Sequence, residues 1–159
     1  MKDKKIIFIF DLDGTLCDQT HRQHLIHANP DEMTEADWDL FHSCCDNDRE
    51  HAAACLLFRF LRTSGAYLIQ CTGRSIRYRR KTVDWLCNKD LLPDHLMMKR
   101  HGDPRPDAEV KREMLQIIRR QHGEPIAVFE DRPSVVKMWR EEGVACFACD
   151  DKYWRGREC

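Results

Sequence analysis

The sequence predicts an α/β fold: five parallel strands in one sheet, helices on both faces, and a small helical cap inserted after the first strand, at about residues 17–48. Three features predict it. Short apolar runs alternate with amphipathic stretches of helical period along the chain. Each strong run stops abruptly in polar, reactive residues. No repeat, low-complexity tract or Gly/Ser linker breaks the alternation, so the 159 residues read as one domain over 1–159.

The first run, Ile6-Ile7-Phe8-Ile9-Phe10, is β-branched and aromatic and follows a charged start, so it reads as a buried strand ending at Asp11 and Asp13. Residues 17–48 are polar and histidine-rich. Asn29-Pro30-Asp31 makes a turn, and Thr34 opens a capped helix carrying Trp38 and Phe41. His21, His24 and His27 recur every third residue and read as a polar helix surface rather than a metal site. Residues 49–63 form an amphipathic helix with Leu56, Leu57, Phe60 and Leu61 inward, stopped at Ser64-Gly65. Residues 66–71 are the second strand, ending in Thr72-Gly73-Arg74. A helix follows to about Cys87, carrying Val83, Trp85 and Leu86. Residues 96–98 are a short third strand, and Pro106-Asp107 opens a helix over 107–121. Residues 126–129 are the fourth strand, ending in Glu130-Asp131. Pro133 opens a helix to about Glu142 with Val135, Val136 and Trp139 on its apolar face, and 144–147 is the fifth strand.

Composition narrows the function classes. Charged residues make up 33% and apolar residues 42%, an ordinary soluble balance, and the net charge of −1 gives no global field to recruit nucleic acid or membrane. No apolar stretch approaches the ~20 residues of a membrane span. The charged start running straight into a strand lacks signal-peptide architecture, so the expectation is cytoplasmic, with no membrane partner. Nine cysteines is a high and odd count. Cys55, Cys71, Cys87 and Cys146 lie in apolar settings and read as small, reduced, buried hydrophobes. Cys146 and Cys149 form a lone CxxC with no second ligand pair, and Cys44-Cys45 are adjacent, so neither reads as a zinc site.

Parallel strands put their carboxyl ends on one edge, where ligands bind in open α/β sheets. Asp11 and Asp13 point the same way from an extended chain. Two carboxylates in one small space are costly unless a cation or a proton resolves them; capping of a following helix is the other reading. The same edge receives Thr72 from the second strand and Glu130 and Asp131 from the fourth. Singly, Thr72 is a helix cap and Lys111 a solvated helix lysine. Together the set points to phosphoryl chemistry.

The motifs DLDGT (11–15), TGR (72–74), the lysine of DAEVK (107–111) and ED (130–131) occur in that order. They resemble those of the haloacid dehalogenase superfamily of phosphotransferases, which have a Rossmann-like fold. Within it, TGRSIRYRRKTVDWL, MKRHGDPRPDAEVKREML and FEDRPSVVKMWREEGVACF resemble the 3′-phosphatase domain of phage polynucleotide kinase/phosphatase. No GxxxxGK[ST] motif occurs, so the resemblance is to the phosphatase half alone. The resemblance implies that Asp11 is the nucleophile, forming an aspartyl-phosphate. Asp13 then protonates the leaving alkoxide and deprotonates the attacking water. Asp11, Asp13, Asp131 and Glu130 hold Mg²⁺. Thr72, Gly73 and Arg74 grip phosphoryl oxygens, Lys111 neutralises developing charge, and Arg132 positions the acidic pair or reaches substrate, an exposed salt bridge being the other reading of that residue. Glu130 departs from the Asp-Asp pair of the phage enzyme.

A cap this small leaves an open site, suited to a phosphate on a polymer end. Arg74, Arg77, Arg79, Arg80 and Lys81 cluster after TGR, and Lys99, Arg100, His101 and Arg105 precede the lysine helix. They either track a nucleic-acid backbone or form a solvated basic face. The expected activity is Mg²⁺-dependent removal of 3′-phosphates from DNA or RNA ends. The alternative is a phosphatase of mononucleotides or small phosphorylated metabolites, with His21, Arg22 and Trp38 shaping the pocket. A third reading, a non-catalytic binding domain, is opposed by the intact Asp11, Asp13, Thr72, Lys111 and Asp131. The tail Trp154-Arg155-Gly156-Arg157 either covers the site or frays.

Overall fold

A computed structural model of the chain describes residues 5–150 and 152–155. Its elements in chain order are β1 (Ile7–Phe10), β2 (Cys17–Asp18), α1 (Glu35–Ser43), β3 (Arg49–Glu50), α2 (Ala52–Thr63), β4 (Tyr67–Ser75), α3 (Arg79–Asn88), β5 (His95–Lys99), α4 (Asp107–Gln121), β6 (Ala127–Glu130), α5 (Pro133–Glu141) and β7 (Cys146–Ala148). Five strands form one sheet in the order β5-β4-β1-β6-β7, every pairing parallel. The α/β Rossmann-like expectation holds. Parallel neighbours need crossovers, and α2, α3, α4 and α5 supply the helices of these connections.

The alternation of β1 divides the core. Ile7 and Ile9 face one side with Val110, Leu115 and Ile118 of α4 and Val135, Met138 and Trp139 of α5. Phe10 faces the other with Cys55 and Phe58 of α2 and Trp85 and Leu86 of α3. Trp139 is fully buried, a core residue as its helical spacing implied.

The insert is smaller in regular structure than its length suggests. Two 3₁₀ turns, Thr20–Leu25 and Pro30–Glu32, precede α1, and a third, Cys45–Asn47, follows it. Thr34 caps α1 through a full capping box with Asp37. At the base of the insert β2 and β3 pair antiparallel, Cys17 with Glu50 and Asp18 with Arg49, so its two ends are clasped together. That ribbon was not foreseen; it shortens the expected 49–63 helix to start at Ala52.

Three expectations need correction. In α2, Leu56 and Phe60 are 68% and 65% exposed, while Cys55 and Phe58 are buried. Apolar residues occupy both faces of this helix, so periodicity left its phase open. Cys87 is exposed, at the solvent side of α3. The helix after TGR begins later than expected, because β4 runs through Thr72 to Ser75 and a 3₁₀ turn, Ile76–Tyr78, intervenes. Among the described residues all cysteines are unpaired, and no helix is long and apolar enough to cross a membrane.

The α2 phase makes a sharp contrast measurable by urea unfolding. Phe58→Ala should cost about 3–5 kcal/mol by leaving a core cavity, whereas Phe60→Ala should stay within about 0.5 kcal/mol. Equal losses would put the helix in the wrong phase.

Candidate active site

β1 ends where its pairing with β6 gives out, at the bond from the Asp11 N–H to the Phe129 carbonyl (2.9 Å). The chain then coils tightly. The amides of Leu16 and Cys17 both donate to the Leu12 carbonyl, and Gly14 takes φ +85°. Glycine is required there twice over. The backbone is left-handed, and a Cβ would lie 2.0 Å from Oδ2 of Asp131. Gly73 is similar in kind: its Cβ would lie 2.5 Å from Oδ1 of Asp107. Two glycines thus let the β1 and β4 loops close onto carboxylates from β6 and α4.

The resulting edge holds two charge clusters of different balance. In the first, Lys111 of α4 reaches back with its Nζ 2.6 Å from Asp11 Oδ1, 2.8 Å from Glu130 Oε2 and 3.1 Å from Asp107 Oδ2. One ammonium serves three carboxylates, and Asp131 brings a fourth. Asp11, Glu130 and Asp131 offer oxygens all within 4.8 Å of one another. At such spacing a like-charge pair costs about 3–4 kcal/mol for an effective dielectric near 20. Burial, with repulsion from Glu130, pushes the Asp11 carboxyl well above its ordinary range against the pull of Lys111. Burial, with repulsion from Asp11 and Glu130, does the same to Asp131. Burial alone would depress Lys111, but Asp107, Asp11 and Glu130 hold it firmly charged. The cluster is short of positive charge, and its donors are all hard oxygens. That combination fits a divalent cation such as Mg²⁺.

Glu130 has a distinct task. Its Oε2 is taken by Lys111, and its Oε1 accepts the backbone N–H groups of Asp131 and Arg132, both at 3.2 Å. It thereby fixes the turn that aims Asp131. Asp131 Oδ2 in turn accepts the indole N–H of Trp154 at 2.6 Å, with the Arg132 guanidinium 4.8 Å from that ring. The tail up to residue 155 therefore covers the site; Gly156 and Arg157 lie outside the described residues. Tyr153 anchors it by donating to Asp18 Oδ1 at 2.7 Å.

The second cluster is balanced, two arginines against two carboxylates. Asp13, 16% exposed at its side chain, has Nη2 of Arg22 and Nη2 of Arg74 each 2.5 Å from Oδ1, and Arg74 Nε 3.2 Å from Oδ2. Arg22 and Arg74 also share buried Asp48, at 2.5 and 3.4 Å. Burial would raise the Asp13 carboxyl, but Arg74 and Arg22 outweigh it and hold it far below the carboxylate range. His42 of α1 lies against this cluster. Burial pushes its imidazole down to about 3, and its Nδ1 has no hydrogen-bond partner.

Asp11, Asp13, Thr72, Gly73, Arg74, Glu130, Asp131 and Arg132 line one cleft of about 550 Å³, with Lys111 beneath it. Thr72 sits where the register of β4 with β5 shifts, before it resumes at Ser75, and accepts the Arg74 backbone N–H through its hydroxyl (3.1 Å). Arg74 is turned inward, onto Asp13, Asp48 and Thr82. Arg79 and Arg80 fall outside the cleft: both are exposed on α3, and the Arg80 side chain is 95% exposed. Of the two basic runs in the sequence, Arg74 from the first and Lys99, Arg100, His101 and Arg105 from the second line it. Sequence reasoning did not find Asp48, Asp107 or His42. The i,i+4 spacing of Asp107 to Lys111 carried a signal for one of them; Asp48 and His42 are placed only by the folding of the cap.

A family model described as the polynucleotide kinase PNKP phosphatase domain matches residues 5–153. A protein of Autographa californica nuclear polyhedrosis virus, assigned as a bifunctional polynucleotide kinase/RNA ligase, is 29% identical over 132 residues, 82% of this chain and 17% of the viral protein. Among solved structures, a chain of the Pnkp1/Rnl/Hen1 RNA repair complex superposes with TM-score 0.77 at 25% identity, covering 94% of this chain and 44% of that one. A haloacid dehalogenase-like hydrolase from Streptococcus pneumoniae shares the fold at TM-score 0.64 and 16% identity, covering 94% and 89%. The chain thus spans less than half the length of the viral and repair-complex relatives.

Burial of His42 has a pH signature. Its folded-state pKa of about 3 lies below its ordinary 6.5, so the unfolded chain takes up a proton that the folded one refuses. The His42 contribution to stability falls as pH drops through 6.5, by about 1.4 kcal/mol per unit, or about 2 kcal/mol by pH 5, while the raised Asp11 and Asp131 act in the opposite sense. The stability from the depressed Asp13 is lost only below about pH 4. His42→Gln should flatten the stability curve between pH 6.5 and 4.5 in urea titrations. An unchanged slope would mean that the imidazole is not held neutral.

Proposed function

Because the chain belongs to the polynucleotide kinase PNKP phosphatase-domain family, a branch of the haloacid dehalogenase phosphatases, we propose that it removes 3′-phosphates from nucleic-acid ends, with Mg²⁺ and through an aspartyl-phosphate. The observation that carries this reading is the Asp11–Lys111 pair on the floor of a cleft whose other acids, Glu130 and Asp131, share one small space. The RNA repair assembly to which one structural relative belongs supports a polynucleotide end as substrate.

The residues divide the work as follows. A carboxylate oxygen of Asp11 attacks phosphorus, and the bond from phosphorus to the 3′ oxygen breaks. Mg²⁺, held by the Asp11 and Asp131 carboxylates and the Asp13 carbonyl, would offset the repulsion between the phosphate and these acids. Lys111 pulls Asp11 toward its ionised form, against burial and Glu130, and steadies charge that builds on the phosphoryl oxygens. Glu130 acts through Lys111 and through the turn at Asp131. Thr72 and the Gly73 backbone face the phosphoryl group.

Asp13 enters the cycle ionised, but its two arginines also make it a weak base, so accepting the proton of the water that hydrolyses the aspartyl-phosphate depends on their loosening. Its acid half-reaction, giving a proton to the leaving 3′ oxygen, requires its two arginines to loosen. The charge of an incoming phosphate dianion, and its competition for the Arg74 guanidinium that lines the cleft, raise the Asp13 pKa, so that Asp13 takes up from solvent the proton it then gives to the leaving 3′ oxygen. The overall balance is phosphomonoester plus water to alcohol plus phosphate.

Phosphate release should be followed with Mg²⁺ on a 3′-phosphorylated oligonucleotide, its 5′-phosphorylated isomer and a mononucleotide panel. The 3′ end should be preferred, and Asp11→Asn should reduce every rate to background in a folded protein. Preference for a mononucleotide would move specificity to the cap, and activity retained by Asp11→Asn would remove the proposed nucleophile.

A further inference from the structure

The cleft is larger and more two-faced than a phosphate requires. At about 550 Å³ it falls within the ~300–1,000 Å³ of sites that enclose whole small organic ligands. Beyond Asp11, Asp13 and Thr72 its walls differ in character. One wall, built by the cap, is apolar and aromatic, with Ile26, Met33, Trp38 and Phe41. The other carries Lys99, Arg100 and Arg105, the last paired with Asp103 at 2.6 Å and Glu113 at 2.7 Å.

The aromatic wall is fixed in place relative to the catalytic edge. Arg22, which holds Asp13 at 2.5 Å, lies with its guanidinium 4.0 Å from the Phe41 ring centre. Phe41 meets Trp38 edge-on at 5.8 Å and 83°, and Trp38 stacks on His42 at 5.8 Å and 22°. Tyr78 ties α1 to the segment after β4 by donating to the Asp39 carbonyl at 2.9 Å. Phe41 and His42 are buried, but Trp38 is only half-buried at the cleft, where a core tryptophan would be enclosed. His42, 7% exposed, adds an imidazole Nδ1 without a partner. A buried polar atom left unpaired beside an aromatic wall marks a place for a ligand with both a π-face and hydrogen-bonding edges.

We infer that the cap wall formed by Trp38, Phe41 and His42 is a nucleobase subsite, taking the base of the terminal nucleotide whose 3′-phosphate sits on Asp11. The occupant follows from continuity: the wall opens into the phosphate site itself, and the facing cations suit the next phosphate of a chain. Trp38 is the stacking surface, the neutral His42 imidazole hydrogen-bonds the base or sugar, and the Asp13–Arg22–Phe41 contacts set the distance between base and phosphate. This inference rests on the reading of the Asp11 site as a 3′-phosphatase and names what that site recognises beyond the phosphate.

The test compares two oligonucleotides of one sequence, each with a 3′-phosphate, one carrying a terminal base and the other an abasic terminal sugar. The readout is the ratio of their kcat/KM values. Base stacking on an aromatic side chain is worth about 1–3 kcal/mol, so the wild-type ratio should lie between about 5 and 150. Trp38→Ala should bring it close to one, and Trp38→Phe, which keeps a ring and spares the fold, should leave it intermediate. A wild-type ratio near one, or a ratio unchanged in both variants, would overturn the subsite while leaving the 3′-phosphatase reading intact. Failure of the wild type to hydrolyse either oligonucleotide would overturn both.

Discussion

Uneven neutralisation of buried carboxylates is the constraint on which the rest of this structure depends. At the carboxyl edge of the sheet, Asp11, Asp107 and Glu130 share the ammonium of Lys111 while Asp131 adds a further acid. A few residues along the same loop, the single carboxylate of Asp13 receives two arginines. One cluster calls for a cation; the other holds its acid ionised. Consecutive alternate positions of one loop thereby acquire opposite electrostatics, and two identical side chains become suited to different steps of phosphoryl transfer.

The topology makes this separation possible. Parallel β1, β4 and β6 deliver Asp11, Thr72 and Glu130 to one edge, and α4 returns Lys111 to it from the face that buries Val110 and Leu115. The cap supplies what the sheet cannot. Arg22 and Asp48 come from its two ends, brought together by the β2–β3 ribbon and locked around Arg74. The tail completes the site by directing the Trp154 N–H at Asp131. Hydrogen bonds to a ligating carboxylate fix its orientation, and their loss typically weakens metal binding ~10–100-fold. The cap and tail therefore tune the site rather than merely covering it.

Much of this was legible in the sequence, and the reasons for the remainder are physical. The five strands and their polar ends could be read because buried parallel strands are continuous apolar runs with abrupt stops. The edge residues Asp11, Asp13, Thr72, Glu130 and Asp131 were legible for that reason. The phase of α2 was not, because Leu56, Leu57, Phe60 and Leu61 compete with Cys55 and Phe58 for the same core. The placement of Asp48 and His42 was hidden because 3₁₀ turns and a two-residue ribbon leave no periodic trace. The runs of arginine after TGR drew attention to Arg79 and Arg80, yet Arg74 is buried while Arg79 and Arg80 face solvent. Charge density along a sequence says nothing about which side of a turn each side chain takes.

The shortage of positive charge in the Asp11–Glu130–Asp131 cluster is what a divalent cation would relieve. This is tested most directly by calorimetry of Mg²⁺ binding in buffers of different ionisation enthalpy between pH 5.5 and 8. Because Asp11 and Asp131 hold protons more tightly than ordinary carboxylates, Mg²⁺ should displace protons at the acidic end, and this release should shrink as pH rises. Absence of Mg²⁺ binding, or binding with no proton release at any pH in the range, would contradict the account.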